Sequence, residues 1–385
     1  MSAIPFKVSA PDHLIARLRR RIEEYPWRPG AVGEEDWRYG VPAAWLKAMC
    51  AHWLTRYDWS YWQDRLNAFP QYRADVDGFG LHFLHVAGEA GGRRPLLLAH
   101  GWPGSHFEFW GVIEKLAFPS RFGGSSADAF DLVIPSLPGF GFSDKPERPR
   151  GQRWTAALFN RLMTDQLGYS RYLAQGGDWG GLIASWLALD HSACVGAHLN
   201  MIGFRPTPAQ PADDAEAAWL SRTQAAMQAE GAYFMQQATK PQTLAHALMD
   251  SPVGVAGWIF EKFHGWSDLA KGGGDVLKVH DPDHLWTNVM IYLITDSFAT
   301  SVWYYRGLFE EGGIQLPPGV RCQKPTGFAN FPGERLYQAP PRSWAERAYT
   351  IATWTDMPRG GHFAAMEEPD LLISDIRAFA RAIGY

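Results

Sequence analysis

Residues 172–181, Tyr-Leu-Ala-Gln-Gly-Gly-Asp-Trp-Gly-Gly, constrain this chain more than any other stretch. The first residues make a short apolar run suited to a buried strand, the glycines force a sharp turn, and the following residues open a helix. A small-x-nucleophile-x-small turn between strand and helix exposes its central side chain, because the flanking glycines remove Cβ clashes at a strained backbone position. Gly176 and Gly180 flank Asp178 at that apex. An ionised carboxylate there needs no base to activate it. It attacks an electrophilic alkyl carbon and leaves a covalent ester that water must later cleave. The competing reading is an ordinary glycine turn capped by an aspartate, and the rest of the chain decides between them.

With 385 residues the chain exceeds the usual single-core limit of about 250–300 residues, so one large core with an insertion is expected. Lys and Arg number 36 against 40 Asp and Glu, a formal net charge of −4 with no long basic run. That balance gives no reason to expect nucleic acid or an anionic membrane as partner and favours a small neutral molecule. Cys50, Cys194 and Cys322 are far apart, odd in number and lack a C-x-x-C pair. Neither a disulfide framework nor a metal site is indicated, which points to a reducing, cytoplasmic compartment. The first residues lack a signal peptide's order of basic then apolar segments, and no apolar run reaches the roughly 18 residues of a membrane span, so no membrane anchor is expected. The 18 tryptophans suggest an aromatic-lined cavity in addition to core filling.

Residues 1–77 read as an N-terminal extension packing on the core. Leu14, Leu18 and Ile22 recur every fourth residue after Asp12 and predict an amphipathic helix over 11–24, with further helix within 42–69. From Gly78 the pattern turns to short strands at 81–86, 95–99 and 131–134, then a helix over 153–167, the elbow strand, a helix over 181–190 and a strand over 195–202. This first part of the core spans 78–203. The rhythm stops in the Pro, Ala and Asp-rich stretch 205–217, and residues 204–322 read as an inserted helical cap broken at Lys240-Pro241, Ser251-Pro252 and 271–274. Residues 323–385 complete the core with strands near 324–329 and 349–354 and a closing helix over about 370–382. Strands alternating with helices indicate an α/β fold with a mostly parallel central sheet flanked by helices.

Two loops that follow predicted strands complete a constellation with Asp178. In His100-Gly101-Trp102-Pro103-Gly104 the Trp102 amide is placed to join the Trp179 amide in an oxyanion hole, while His100 reads as a buried residue that orders the loop. In Gly360-Gly361-His362-Phe363, after the last strand, His362 is the candidate base for hydrolytic water. The acid that orients it belongs after an earlier strand; Glu334, in Phe331-Pro332-Gly333-Glu334, fits, and Asp356, at the end of the strand leading to His362, is its rival.

With these motifs in this order, the sequence resembles the epoxide hydrolases of the α/β-hydrolase superfamily, on the microsomal and juvenile-hormone epoxide hydrolase branch. The resemblance runs over nearly the whole chain. Besides the stretches above it is carried by Ile4-Pro5-Phe6-Lys7-Val8, Gly139-Phe140-Gly141-Phe142-Ser143, Thr239-Lys240-Pro241-Gln242, Asp250-Ser251-Pro252-Val253-Gly254 and Pro325-Thr326-Gly327-Phe328. It implies an α/β-hydrolase fold, a small-molecule epoxide substrate and conversion of epoxide plus water to a vicinal diol through an ester on Asp178, without metal or organic cofactor. It also implies two cap tyrosines that hold the epoxide oxygen. Tyr233 and Tyr305 match those positions, with Tyr304 adjacent to the second, and the Trp102 and Trp179 rings would wall the substrate pocket. A phenol with pKa about 10 stays protonated at neutral pH and donates to an alkoxide as the ring opens. Two departures stand out: the membrane anchor of microsomal relatives is not read here, and Gly333 precedes the acid where the family often has a hydrophobic residue. A haloalkane dehalogenase would use the same aspartate and histidine, a silent hydrolase-fold protein would bind a ligand without turnover, and a serine esterase is disfavoured by the absence of G-x-S-x-G. Oligomeric state is left open, a homodimer included.

Overall fold

Short, fully apolar runs can be buried on both faces and become interior strands, whereas alternating runs go to the edge. The computed structural model, which describes residues 3–89, 91 and 94–385, follows this rule. Its strands are β1 (Ile4–Pro5), β2 (Gln71–Val76), β3 (Phe79–Val86), β4 (Pro95–Ala99), β5 (Asp131–Pro135), β6 (Tyr172–Gly176), β7 (Cys194–Leu199), β8 (Cys322–Asn330) and β9 (Tyr349–Asp356). They form one sheet in the order β1-β2-β3-β5-β4-β6-β7-β8-β9. Pairing is antiparallel from β1 to β5 and parallel from β5 to β9. Every residue of β4, β5 and β6 is buried.

Strand pattern begins earlier than Gly78. β2 pairs with β3 through a two-residue turn, Val76 opposite Phe79. Asp77 and Gly78 both have positive φ, 55° and 78°, the conformation that Asp-Gly supplies in tight hairpins. β2 itself, Gln-Tyr-Arg-Ala-Asp-Val, is half polar and lies next to the sheet edge formed by the two residues of β1.

After β7 the chain leaves the sheet for a run of helices that includes Asp214–Glu230, Ala232–Thr239, Pro252–Trp266, Pro282–Ile294 and Trp303–Glu310, and returns at β8. Local signals set their starts: Asp213 and Ser251 accept hydrogen bonds from the Glu216 and Gly254 amides, and prolines occupy first-turn positions at 252 and 282. The helix Asp12–Glu23 buries Leu18 and Ile22 and packs on the helix Pro252–Trp266. The helix Ala43–Thr55 joins the same layer, where the Met49 carbonyl accepts from Trp286 Nε1 at 2.9 Å. No helix among the described residues is long and apolar enough to cross a membrane.

Candidate active site

In this fold the carboxyl ends of parallel strands collect the reactive groups. Trp102 follows β4, Asp178 follows β6, Glu334 follows β8 and His362 follows β9. Asp178 sits at the first position of the helix Asp178–Asp190 with φ of +47°, a left-handed conformation that is strained for a residue with a Cβ. Close packing against β4 holds the strain. Gly180 passes so close to β4 that a Cβ there would lie 1.8 Å from the Ala99 carbonyl oxygen, so the elbow closes only with glycine at this position.

The Trp102 amide donates to Asp178 Oδ1 at 2.8 Å, and the Trp179 amide also donates to the carboxylate. His362 Nε2 lies 3.7 Å from Asp178 Oδ2. On its other side the imidazole meets Glu334, with Nδ1 and Oε2 2.5 Å apart. Glu334 Oε1 in turn accepts from the Leu336 and Tyr337 amides, each at 3.0 Å. Asp356 is exposed and takes its hydrogen bonds from Asn330 and Trp354 instead. Gly333, the departure noted beside the acid, has a spatial cause: a Cβ there would lie 2.4 Å from Asp268 Cβ and 2.7 Å from the Gly360 carbonyl oxygen. His100 orders its loop, accepting from the Leu137 amide at 3.1 Å.

The electrostatics follow from burial and charge. Burial raises the Asp178 carboxyl above its ordinary value, opposed by the His362 charge and the Trp102 and Trp179 amides. Burial would raise Glu334 as well, but the His362 charge, their hydrogen bond and the Leu336 and Tyr337 amides outweigh it and hold the carboxyl low. For His362 burial works downward, yet Glu334, Asp178 and Glu108 together lift the imidazole to about 9.

Opposite this charged group stand two tyrosines on the helices between β7 and β8. Tyr233, on the helix Ala232–Thr239, stacks on Trp102 with centroids 5.5 Å apart, and Tyr305, on the helix Trp303–Glu310, meets Trp179 edge-on at 4.6 Å. The two phenol rings are 5.8 Å apart. Tyr304 points elsewhere: its hydroxyl bonds Thr155 Oγ1 at 2.6 Å. The Tyr305 hydroxyl is buried without a partner among the described residues. Trp266 packs at 5.1 Å from Tyr233 and 4.9 Å from His362, closing the aromatic wall.

Four groups here were missed by sequence reasoning. Glu108 lines a chamber of about 20 Å³ with Asp178, His362, Gln175 and Asn200, room for about one water. Burial pushes its carboxyl up to about 8, with His362 opposing and Asp178 reinforcing the shift. Glu367 ties down the histidine loop by accepting from the Asp268, Gly361 and Phe363 amides at 2.8–2.9 Å. Tyr337 bonds Tyr233 hydroxyl to hydroxyl at 2.9 Å. Lys262 is only 6% exposed and places Nζ 4.5 Å from the Tyr233 ring centroid. For Glu108 the signal was an acid inside the aromatic run His-Phe-Glu-Phe; for Tyr337 it was proximity to Glu334.

Comparison with known proteins agrees with this geometry. Residues 3–109 match the family described as epoxide hydrolase N terminus, and residues 94–240 match the α/β hydrolase fold. The chain is 35% identical to epoxide hydrolase 1 of Oryctolagus cuniculus, over 97% of this chain and 88% of that protein. It is 34% identical to juvenile hormone epoxide hydrolase 1 of Ctenocephalides felis, over 98% and 85% of the two chains. The structure of Aspergillus niger epoxide hydrolase superposes with a TM-score of 0.86 at 31% identity, covering 100% of this chain and 97% of the other. Similarity at this level along the whole length means that the chain belongs to the epoxide hydrolase family of the α/β-hydrolase fold.

Proposed function

We propose that Asp178 is the nucleophile with which this enzyme converts an epoxide and water to a vicinal diol. The observation that carries the reading is a carboxylate at the elbow with one oxygen bound by a backbone amide, the other facing an imidazole, and two phenols across the site. Because Oδ1 is engaged by the Trp102 amide, Oδ2 is the oxygen free to attack. It displaces the epoxide C–O bond from the far side and forms a hydroxyalkyl ester, while Tyr233 and Tyr305 donate to the departing oxygen. The alkoxide takes a phenol proton, and the phenol regains one as the His362 imidazolium gives its own up.

Esterification removes the Asp178 charge, one of the groups that raise His362, so the imidazole becomes a base when hydrolysis requires one. His362, oriented by Glu334, takes a proton from water as the water oxygen attacks the ester carbon. Charge then develops on Oδ1, where the Trp102 amide already points, with the Trp179 amide also directed at the carboxylate. Collapse releases the diol and restores the carboxylate and the imidazolium, so atoms and protons balance. The aromatic wall supports an apolar epoxide as substrate. Three buried, unpaired cysteines support a reducing, cytoplasmic setting.

One feature favours the dehalogenase reading: the Trp102 and Trp179 indole N–H groups are buried without partners among the described residues and are of the kind that binds halide. Diol formation from aryl and alkyl epoxides, with halide release from haloalkanes assayed in parallel, separates the two. Diol from the wild type, reduced at least about 10⁴-fold in Asp178→Ala, is the expected result. Halide without diol would overturn it.

A further inference from the structure

We propose that Tyr337 and Lys262 make Tyr233 the stronger of the two phenol donors, so that Tyr233 bears most of the charge on the departing epoxide oxygen while Tyr305 chiefly orients it. This rests on the reading of the two phenols given above. The two tyrosines look equivalent in sequence and are not equivalent in space. Tyr233 has a hydroxyl neighbour, Tyr337 Oη at 2.9 Å, and a cation above its ring, Lys262 Nζ at 4.5 Å. Among the described residues the Tyr305 hydroxyl has no partner beyond Tyr233 itself, and its ring meets Trp102 and Trp179 edge-on.

A phenol has one proton to give and lone pairs to accept. When Tyr233 turns its proton to the epoxide, its oxygen remains free to accept from Tyr337, whose hydroxyl has no other partner among the described residues. Accepting one hydrogen bond strengthens the bond donated, because the accepted proton stabilises charge drawn onto the phenol oxygen. The ammonium adds to this through the ring face, and it is well placed to do so because Lys262 is buried, with Glu261 as its one ion-pair partner among the described residues. Tyr337 is itself held in register. Its backbone amide donates to Glu334 Oε1 at 3.0 Å, so the loop that orients His362 also sets the distance to Tyr233. Tyr337 and Lys262 are thus positioning residues that act through Tyr233, and neither needs to touch the substrate.

The test is single-turnover fluorescence, following quenching of the site tryptophans as the ester forms and its recovery as the ester is hydrolysed. Terminal epoxides with alkyl, alkoxymethyl or trifluoromethyl substituents vary the basicity of the leaving alkoxide. Tyr337→Phe is expected to slow ester formation about tenfold, the loss of one hydrogen bond at the reacting oxygen, and to leave ester hydrolysis unchanged. The loss should be greatest for the most basic alkoxide and should vanish in a Tyr233→Phe background, where the two changes share one path. Lys262→Met should slow the same step about threefold, and Tyr233→Phe should cost more than Tyr305→Phe. Equal slowing of both steps by Tyr337→Phe, an undiminished effect in the Tyr233→Phe background, or a larger loss from Tyr305→Phe would overturn the inference. Wild-type ester formation with no change in Tyr337→Phe sinks this inference alone. Failure of the wild type to form any ester overturns the chemical reading of the site and this inference with it.

Discussion

The two sides of the site are built by different physics. On the sheet side three carboxylates are tied to the main chain: Asp178 by the Trp102 amide, Glu334 by the Leu336 and Tyr337 amides, and Glu367 by three amides of the histidine loop and its neighbour. On the cap side the phenols are held by ring packing against Trp102, Trp179 and Trp266, with one hydroxyl contact between Tyr233 and Tyr337. Burying a charge costs far more than burying a neutral phenol unless dipoles and partners are already aimed at it. The carboxylates therefore sit where strand ends and tight turns supply fixed amides. Neutral donors can be carried by a helical layer whose shape is set by packing alone. In the proposed mechanism the sheet side decides which chemistry runs, and the tyrosine side tunes how readily the ring opens.

The largest break in this comparison should come from His362→Gln. Ester formation should survive while its hydrolysis falls about 10²–10⁴-fold, so mass spectrometry of the intact protein should show the mass of the epoxide added to the wild-type-like fold. An enzyme that stays unmodified would place His362 before the ester rather than after it. On the cap side, Tyr305→Phe is expected to slow ester formation up to about 10²-fold with little effect on hydrolysis, measured in single turnovers. A similar loss in both steps would mean that the phenol side is not confined to ring opening.

A smaller effect tests how firmly the sheet side is built. Gly180→Ala forces a Cβ against the Ala99 carbonyl, so unfolding in denaturant should show a loss of about 1–3 kcal/mol together with loss of activity. Full stability would show that the elbow can shift to make room.

The smallest expected effect is the pH dependence of stability. His362 is raised from 6.5 to about 9, so the folded state holds a proton that the unfolded chain releases. Its contribution is complete below pH 6.5 and is lost as pH rises through about 9. Glu108, raised from 4.5 to about 8, acts with the same sign: the unfolded chain loses its proton first, and stability falls as pH climbs between those values. Thermal scans should show Tm falling by several degrees between about pH 6.5 and 9, and His362→Gln should flatten the upper part. A Tm that rises over this range contradicts both assignments. In the same way, the ester intermediate should hydrolyse with a midpoint below about 9, since esterification cancels the Asp178 charge that helps raise His362.

Much of the sheet side is legible in the sequence because its signals are local. An aspartate between Gly176 and Gly180, a histidine after Gly360-Gly361 and a loop after an apolar run each announce a strand end within a few residues. The order nucleophile, acid, histidine follows from the fold class that those strands imply. Even the early hairpin was written locally, in Asp77-Gly78, although the polar residues of β2 concealed it.

What only the tertiary structure decided lies in pairs distant along the chain. Tyr304 and Tyr305 are adjacent on one helix, so no local pattern separates them; Thr155 takes the hydroxyl of the first and leaves the second facing Trp102 and Trp179. Tyr233 and Tyr337 are 104 residues apart yet share a hydrogen bond. Lys262 reads as one more helical lysine until the cap folds its ammonium over the Tyr233 ring. Glu334 rather than Asp356 meets His362 because the two loops at Gly333 and Gly360 approach within a hydrogen bond, 2.7 Å from amide to carbonyl. By itself the sequence determined the fold class and singled out Asp178 as the candidate nucleophile, since a turn and its strained backbone are written in neighbouring residues. Partners and their protonation were settled only by packing, because charge, burial and hydrogen-bond geometry act across space and leave no period in the chain.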